Sequence, residues 1–344
     1  MDPSKDRNFK VFLSAISRKE SINYVGIIDV GTPEQTLVTA FDTIGCESWL
    51  NCESCLAGDH EIGSFNFHNS TTFEGSGKVD TLFRNAHARD DLLECFVASD
   101  RLSLSGTCCV PKMRFLCIDY DLYSETKSFP SEARIGLGHD RASFQNNQTY
   151  AELDLGIENY LEALIKTGSI DDGMFCVWLS SDTTTTPAGE ISFGAIDCDR
   201  YEGEITWISV EPESWEFPVE ISLVAKDSGK IISSLETRAK LDISNEWTRG
   251  PGRDVVDLNL AMDLAGPRRC KLEELPNLVF AINGIGFPLE AKDFVERNED
   301  GDHWSTLQSH KLDVFHIGTQ FMRSYYTIFH RSENRIGFAR SRSC

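Results

Sequence analysis

The chain carries Phe41-Asp42-Thr43-Ile44-Gly45 in its first half and Lys240-Leu241-Asp242-Ile243-Ser244-Asn245 in its second half. Each segment places an aspartate after apolar sequence, and their wide separation predicts two lobes that contribute one carboxylate each to a shared site. Two carboxylates in close contact hold one proton between them, because two like charges cannot both ionise there. Such a pair activates a water molecule as base and donates a proton as acid. The residues beside the aspartates therefore decide whether the chain is an enzyme.

Length and charge restrict the fold and the partners. A chain of 344 residues exceeds what one compact core usually holds, which predicts two domains. Lys and Arg number 33 against 54 Asp and Glu, a formal net charge of -21 that argues against nucleic acid and anionic membrane as partners. No run approaches the roughly 18 apolar residues of a membrane span, and the charged segment Met1 to Asp6 is unlike a signal peptide. The sequence predicts a soluble chain, either cytosolic or separated from its targeting segment.

Cysteines and glycosylation motifs bear on the compartment. The 11 cysteines are many for a reducing compartment, and they predict several disulfide bonds with at least one thiol left over. Asn69-Ser70-Thr71 and Asn147-Gln148-Thr149 have the form of N-glycosylation acceptors in polar, loop-like sequence. Together these features favour secretion.

One cysteine-rich loop allows two interpretations. Cys46, Cys52, Cys55 and His60 together could bind zinc, but the loop is short and acidic. A local disulfide, with Cys52 and Cys55 as candidates, fits a cysteine-rich chain better. The 8 histidines show no metal-binding spacing, so neither a metal nor a cofactor is predicted.

Short β-branched and aromatic runs bounded by Gly, Pro, Asn and Asp predict an all-β fold, as in Tyr24 to Pro33 and Gly189 to Gly194. Helical periodicity is convincing from Asn159 to Lys166, which Thr167-Gly168 ends, and weaker from Val255 to Ala261. The polar tract Ser180 to Pro187 predicts a surface loop, with the lobe boundary close to it. The predicted lobes are residues 1–185, with Asp42 and the flap, and 186–344, with Asp242. An ordinary hairpin loop is the alternative interpretation of this tract.

Each aspartate segment is followed, after a long interval, by an apolar-Gly element. These elements are Arg134-Ile135-Gly136-Leu137 and His316-Ile317-Gly318-Thr319. Glycine in such a strand suits a close crossing of two backbones. The repetition supports two related lobes.

Further stretches fall in an order that is typical of one protein family. Tyr24 to Leu50 forms the first, in which Gly31-Thr32-Pro33-Glu34-Gln35 precedes Phe41-Asp42-Thr43 and Trp49. The later stretches are Gly168 to Ile170, Met174 to Leu179, Gly189 to Asp197, Gly203 to Trp207, Leu275 to Phe280 and Phe321 to Ala339. Over nearly its whole length the chain resembles the pepsin family of aspartic peptidases.

The resemblance implies a bilobal, all-β acid protease fold with a few short helices, a cleft between the lobes and a flap hairpin over the cleft. It implies a monomer that takes a peptide or protein ligand in the inter-lobe cleft without a cofactor. It also implies a secreted, extracellular or lumenal protein, and a sequence that contains neither a signal peptide nor a pro-segment.

The family's catalytic pair corresponds to Asp42 and Asp242, and its first-motif threonine to Thr43. The family has glycine where this chain has Ile44, whose branched side chain is expected to crowd the nucleophilic water. The next family position supplies a serine or threonine hydroxyl to the carboxylate, whereas Gly45 has none.

The second motif departs from the family pattern as well. Ile243 replaces a threonine whose hydroxyl in the family reaches across to the loop of the other lobe. Ser244 stands where glycine is usual, and Asn245 stands at the supporting-hydroxyl position, where its amide can still donate.

The flap region also departs from the pattern. The family expects a flap tyrosine that hydrogen-bonds the tryptophan corresponding to Trp49, and no tyrosine occurs between Tyr24 and Tyr120. Phe83 aligns nearest to it, in a hairpin that is longer and more charged.

These departures favour a pepsin-like protein that hydrolyses peptides weakly or not at all and binds a peptide or protein instead. Two missing supports would remove about 3–6 kcal/mol of preorganisation, or roughly two to four orders of magnitude in rate. The alternative is an active aspartic endopeptidase at acid pH, with one of Asp42 and Asp242 ionised and the other protonated. A third possibility is an intracellular interaction protein without disulfides, which would make the two glycosylation motifs fortuitous.

Overall fold

The computed structural model describes residues 8–18, 21–52, 64–75, 81–84, 92–104, 106, 108–121, 131–139, 157, 159–212 and 214–342. The chain divides into two compact units. Unit 1 comprises Met1–Asp197 with Ile328–Glu333, and unit 2 comprises Cys198–Thr327 with Asn334–Cys344. The lobe boundary after residue 185 remains a prediction.

Unit 1 is built mainly of strands. These are β1 (Phe9–Arg18), β2 (Ser21–Val30), β3 (Gln35–Asp42), β4 (Trp49–Asn51), β5 (Glu74–Gly75), β6 (Thr81–Arg84), β7 (Leu92–Leu104), β8 (Cys108–Asp121), β9 (Ala133–Gly136), β10 (Met174–Leu179) and β11 (Gly189–Phe193). They follow the order β10-β11-β1-β2-β3-β9-β4-β8-β7-β5, and β6 pairs with β7. The β3–β9 and β4–β8 pairs are parallel. One α-helix, α1 (Tyr160–Lys166), and the 3₁₀ turns Phe67–Asn69 and Arg331–Glu333 complete its described elements.

Unit 2 is also built mainly of strands. Its strands are β12 (Tyr201–Ser209), β13 (Phe217–Val224), β14 (Ile231–Leu241), β15 (Arg249–Pro251), β16 (Asn277–Ile282), β17 (Ile285–Leu289), β18 (Val295–Arg297), β19 (His303–Ser305), β20 (Gln308–His310), β21 (Phe315–Ile317), β22 (Tyr325–His330) and β23 (Arg335–Ser341). Strand β22 passes into unit 1 at Ile328. Seven strands form a sheet in the order β17-β16-β13-β14-β21-β15-β20, while β18 pairs with β19 and β12 with β23.

Helices are short and few among the described residues, which confirms the predicted all-β class. Unit 2 has α2 (Gly252–Ala261), α3 (Ala291–Phe294) and α4 (Thr319–Ser324), with a 3₁₀ turn at Leu272–Glu274. Helix α1 begins as predicted, because the Asn159 side chain accepts the Leu161 amide at 2.8 Å. It ends before Gly168, whose φ of +68° suits glycine. In the part of the chain that the structure describes, no helix has the length and apolar character needed to cross a bilayer.

Aromatic side chains fill the interior of each unit. In unit 1, Phe9 stacks on Phe193 with ring centroids 4.8 Å apart, and β10 and β11 are buried along their whole length. In unit 2, aromatic rings pack with centroids 5.4–6.2 Å apart, namely Phe217, Phe280, Phe287, Phe321 and Phe338. Burial of these rings supplies much of the stabilisation of each unit.

Glycine lets two backbones cross beside each aspartate, as the repeated apolar-Gly elements predict. A Cβ on Gly136 would lie 2.4 Å from backbone atoms of Cys46, and one on Gly318 would lie 2.3 Å from the carbonyl oxygen of Glu246. Any larger residue would therefore push the crossing strand away from the aspartate loop. The predicted internal repeat is present in the fold.

Candidate functional site

Asp42 ends β3, and the loop that follows binds its carboxylate. The amides of Ile44 and Gly45 donate to Oδ1 of Asp42 at 2.8 and 2.9 Å. Asp42, Thr43 and Ile44 are all buried. The loop therefore holds one carboxylate oxygen with two backbone donors despite the branched side chain at Ile44. The crowding of a catalytic water by Ile44, and the role of Thr43, remain predictions.

Arg134 binds the other oxygen of Asp42. Its Nη1 donates to Oδ2 at 3.0 Å, and the two side chains are only 2% and 4% exposed. The guanidinium also lies over the ring of Trp49, 5.5 Å from the ring centroid. Strand β9 positions Arg134, because β9 runs beside β3 and pairs Arg134 with Ala40.

A buried ion pair of this kind fixes the charge of both partners. Breaking such a pair by removing one partner costs about 3–5 kcal/mol, since the remaining charge is left buried and uncompensated. The guanidinium therefore stabilises Asp42 as a carboxylate and occupies the oxygen that the loop leaves open.

The glycine at position 45 makes room for this arrangement. A Cβ on Gly45 would lie 2.9 Å from Oδ2 of Asp42, which is closer than real Cβ contacts come. A serine or threonine there would press on the oxygen that Arg134 binds. Gly45 has no side chain and so leaves space for Arg134. The Arg134 guanidinium then donates to Asp42 in place of the hydroxyl that the family uses.

Asp242 follows β14, and its side chain is buried in unit 2. Ser244 donates twice to Oδ1 of Asp242, from its amide at 3.0 Å and from its hydroxyl at 2.6 Å. Within the described ranges, Oδ2 of Asp242 makes no hydrogen bond. Nδ1 of His316 lies 3.9 Å from that oxygen, so a protonated His316 forms an ion pair with Asp242.

Arg134 and His316 hold equivalent positions in their units. The β3–β9 ladder places Arg134 opposite Ala40, and the β14–β21 ladder places His316 opposite Lys240. Each basic residue therefore lies opposite the residue two positions before its aspartate. Both units thus place a basic residue type at the same register position relative to the aspartate.

The second motif supports its aspartate through Ser244, at a position where the family has glycine. Asn245 was the side-chain donor expected at the supporting-hydroxyl position, whereas the Ser244 hydroxyl donates directly to Asp242 at 2.6 Å. Ile243 is buried. Among the described residues Asn245 supports its own loop, because its Oδ1 accepts the Trp247 amide at 3.3 Å. The family's hydroxyl has moved by one position.

Glu47 adds a second carboxyl group to the Asp42 loop. Burial raises the pKa of Glu47 to about 7, and the negative charge of Asp42 also raises it. The Cys46 thiol donates to Oε1 of Glu47 at 3.1 Å, which opposes the shift. Glu47 therefore exchanges its proton near neutral pH, unlike an ordinary glutamate.

The predicted flap residues have different outcomes. Trp49 is buried, where it packs with Cys95, Leu116 and Ile118 and lies under Arg134. The backbone of Phe83 lies in β6, paired with Leu93 of β7, as expected for a hairpin strand. The side chain of Phe83 lies outside the described part of the chain, so its role in a flap remains a prediction.

The disulfide pattern differs from the one expected. Cys52 is bonded to Cys117, 65 residues away, so the local disulfide predicted for Cys52 is wrong. This bond also removes the Cys52 thiolate from any zinc cluster. The described residues contain this one disulfide, where several were expected, and Cys55 lies outside them. The bond links the loop after β4 to β8. Because the two cysteines are far apart in the sequence, local spacing did not predict their pairing.

The two predicted glycosylation acceptors are not equally placed. Asn69 ends an exposed 3₁₀ turn, where its side chain faces solvent. Asn147 lies outside the described residues. Glycosylation at either position remains a prediction.

Comparisons with known proteins agree with this geometry. The sequence profile of the eukaryotic aspartyl protease family matches residues 23–341. Embryonic pepsinogen of Gallus gallus is 26% identical over 93% of this chain and 81% of its own length. Pregnancy-associated glycoprotein 2 of Bos taurus is 25% identical over 92% and 81%, and pepsin A of Sus scrofa is 24% identical over 92% and 80%. Two similar β units with matching aspartate loops define an aspartic peptidase scaffold, and the chain belongs to the pepsin family of aspartic peptidases.

Sequence patterns locate Arg134 and His316 at the head of the two apolar-Gly elements but assign them no role. The available signal is a basic residue at the start of a strand predicted to be buried. A buried cation needs a charged or polar partner. Which partner it finds depends on the strand register, which the sequence alone does not give.

Proposed function

We propose that this protein is a pseudo-peptidase of the pepsin family, which hydrolyses peptides weakly or not at all and binds a peptide or protein ligand. The family resemblance locates that ligand in the inter-lobe cleft. The observation that carries the proposal is the buried ion pair between Arg134 and Asp42.

The ion pair opposes the chemistry of an aspartate dyad. A dyad must share one proton and exchange it with a water molecule during the reaction. Arg134 favours a permanently ionised Asp42 and holds Oδ2, so a shared proton competes with a guanidinium 3.0 Å away. Because the pair is buried, water screens this interaction little. The altered motif positions Ile44 and Ile243 act in the same direction.

The alternative, an active aspartic endopeptidase, has specific observations in its favour. Both aspartates are retained, and both loops still hold Oδ1 through donors from Ile44, Gly45 and Ser244. Oδ2 of Asp242 is left without a hydrogen bond among the described residues, as an oxygen that binds a water would be. Under this alternative, Arg134 would release Asp42 during turnover.

Peptide cleavage separates the two functions. Purified, fully processed protein is incubated with a broad peptide library from about pH 2 to 7, the range in which aspartate dyads titrate. The parent is compared with Asp42→Asn, with Arg134→Leu and with a revertant that adds Ile44→Gly, Gly45→Ser, Ile243→Thr and Ser244→Gly to Arg134→Leu. Arg114→Leu, at an exposed position in β8, serves as the matched control.

We expect no cleavage by the parent or by Arg114→Leu beyond the level of Asp42→Asn, and cleavage at acid pH by the revertant. Parent and control should also retain peptides from the library, which mass spectrometry recovers intact. Cleavage by the parent that Asp42→Asn abolishes would establish the endopeptidase instead. Urea unfolding of every variant shows whether a silent variant is folded.

We further propose an extracellular or lumenal, monomeric protein that is glycosylated at Asn69. The Cys52–Cys117 disulfide and the exposed position of Asn69 support this setting. Expression through a eukaryotic secretory pathway should give a protein that loses mass on treatment with an N-glycosidase. Asn69→Gln should remove part or all of that loss.

A further inference from the structure

Arg249 forms no ion pair with the carboxylates of the described residues, although the chain as a whole is acidic. It lies in β15, half-buried, and its Nε is inaccessible to solvent yet makes no hydrogen bond within the described residues. No described carboxylate lies within ion-pair distance of it. A buried guanidinium donor that is left unsatisfied is costly, so its retention needs an explanation.

His310 presents a second donor of the same kind. The Leu312 amide donates to Nδ1 of His310 at 3.2 Å, so a neutral imidazole carries its proton on Nε2. This Nε2 is also buried and without an acceptor among the described residues. The Leu312 amide thereby selects the tautomer of the neutral imidazole.

The two donors belong to one cluster in unit 2. Arg249 pairs with His316 in the β15–β21 ladder, and the rings of His310 and His316 meet edge to face with centroids 5.0 Å apart. The β15–β20 ladder pairs His310 with Pro251, the N-cap residue that precedes α2. The first-turn amides of α2 therefore add positive potential beside the cluster.

The titration of His310 agrees with this placement. Burial lowers the pKa of His310, and the charge of Arg249 lowers it further, while Asp242 raises it. An imidazole whose pKa is lowered by a nearby guanidinium lies beside a positive charge, which Asp242 offsets in part.

We propose that Arg249 and His310 bind a carboxylate group of the peptide ligand, so that the protein selects peptides with a free C-terminus or an acidic side chain at this point. The inference rests on the proposed peptide-binding function and names the chemical class that this site accepts. The planar guanidinium matches the two oxygens of a carboxylate, and the His310 N–H supplies a further donor. A singly charged carboxylate suits the cluster better than a phosphate does, because Asp242 lies against His316 and repels a second negative charge.

Nuclear magnetic resonance of the imidazole groups tests the site directly. Full-length protein labelled with ¹⁵N at histidine is titrated with N-acetylglycine, a carboxylate probe, and with N-acetylglycinamide, its neutral analogue. The His310→Gln variant identifies the His310 signals. We expect saturable shifts of these signals with N-acetylglycine and binding of the amide weaker by about tenfold or more, since a charge-assisted hydrogen bond is lost.

Two arginine variants complete the test. Arg249→Gln should weaken N-acetylglycine binding about tenfold or more, whereas Arg253→Gln, at a nearby side chain that is 92% exposed, should leave it unchanged. Three results would each overturn the proposal: equal binding of acid and amide, no saturable shift, or an Arg249→Gln variant that binds like the parent. Either of the last two results would indicate that water, and not a carboxylate, fills the site. Blocked peptides with an internal Glu or Gln then show whether side-chain carboxylates are accepted as well as chain ends. The probe contains no bond between two amino acids, so cleavage activity that refuted the pseudo-peptidase would leave this result intact.

Discussion

At the scale of single residues, Asp42 and Asp242 differ in the cation that faces each of them. Asp42 faces the guanidinium of Arg134 in a buried ion pair, and a guanidinium does not need to gain a proton to bind a carboxylate. His316 forms an ion pair with Asp242 only when its imidazole is protonated. Protonation of His316 would therefore give each aspartate a cationic neighbour.

Glu47 gives a pH dependence of stability that can be measured. Its pKa is raised from 4.5 to about 7, so the native state keeps a proton that the unfolded chain releases. This contribution is fully present below about pH 4.5 and is lost as the pH rises through about 7, for a change of about 3 kcal/mol. Glu47→Gln should remove that fall, as measured from urea unfolding midpoints at pH 4.5 and 8. Exposed Glu74→Gln is the control, and an unchanged slope in Glu47→Gln would contradict the assignment.

At the scale of elements, the strands beside each aspartate depend on glycine at the crossing point. Gly136→Ala would put a Cβ 2.4 Å from the backbone of Cys46, which β9 can relieve only by moving away from the Asp42 loop. We expect a loss of several kcal/mol or failure to fold, since overpacking against backbone has no low-energy solution. Gly266→Ala is the matched control, because a Cβ there meets no atom within 4 Å. Similar unfolding midpoints for the two variants would show that the crossing is adaptable.

The elements also show what the sequence could predict. The strand within Gly189 to Gly194 and the helix within Asn159 to Lys166 follow from local sequence pattern, and both formed as expected. The Asp42–Arg134 pair and the Cys52–Cys117 bond each join distant strands, so they depend on register and sheet order. Local pattern carries little information on either. The support of Asp242 by Ser244 escaped prediction because the hydroxyl shifted by one position along the loop.

At the scale of the whole molecule, the chain crosses between the two units more than once. Ile328–Glu333 belongs to unit 1 although unit 2 flanks it on both sides in sequence. In unit 1, Phe329 stacks on Phe175 with centroids 4.5 Å apart, and the Arg331 amide donates to the carbonyl of Gly173 at 2.7 Å. Arg331 also pairs with Glu162 of α1. Unit 1 therefore depends on residues near the end of the sequence.

This dependence predicts how fragments of the chain behave. A fragment of residues 1–197 should be much less stable than unit 1 in the full chain, because the partners of Phe175 and Gly173 are missing. Adding residues 328–333 after residue 197 through a Gly/Ser linker should restore part of the stability. A fragment of residues 1–185 also lacks β11, which lies between β1 and β10, and should be the least stable. Circular dichroism and urea unfolding rank the three.

The ranking also tests the lobe boundary predicted from the polar tract Ser180 to Pro187. If the 1–185 fragment unfolds cooperatively and at the same urea concentration as the linked fragment, β11 and Ile328–Glu333 are dispensable and the boundary stands at 185. If only the linked fragment unfolds cooperatively, unit 1 is the folding unit. The loss of β11 leaves the edges of β1 and β10 unpaired, so we expect the 1–185 fragment to aggregate.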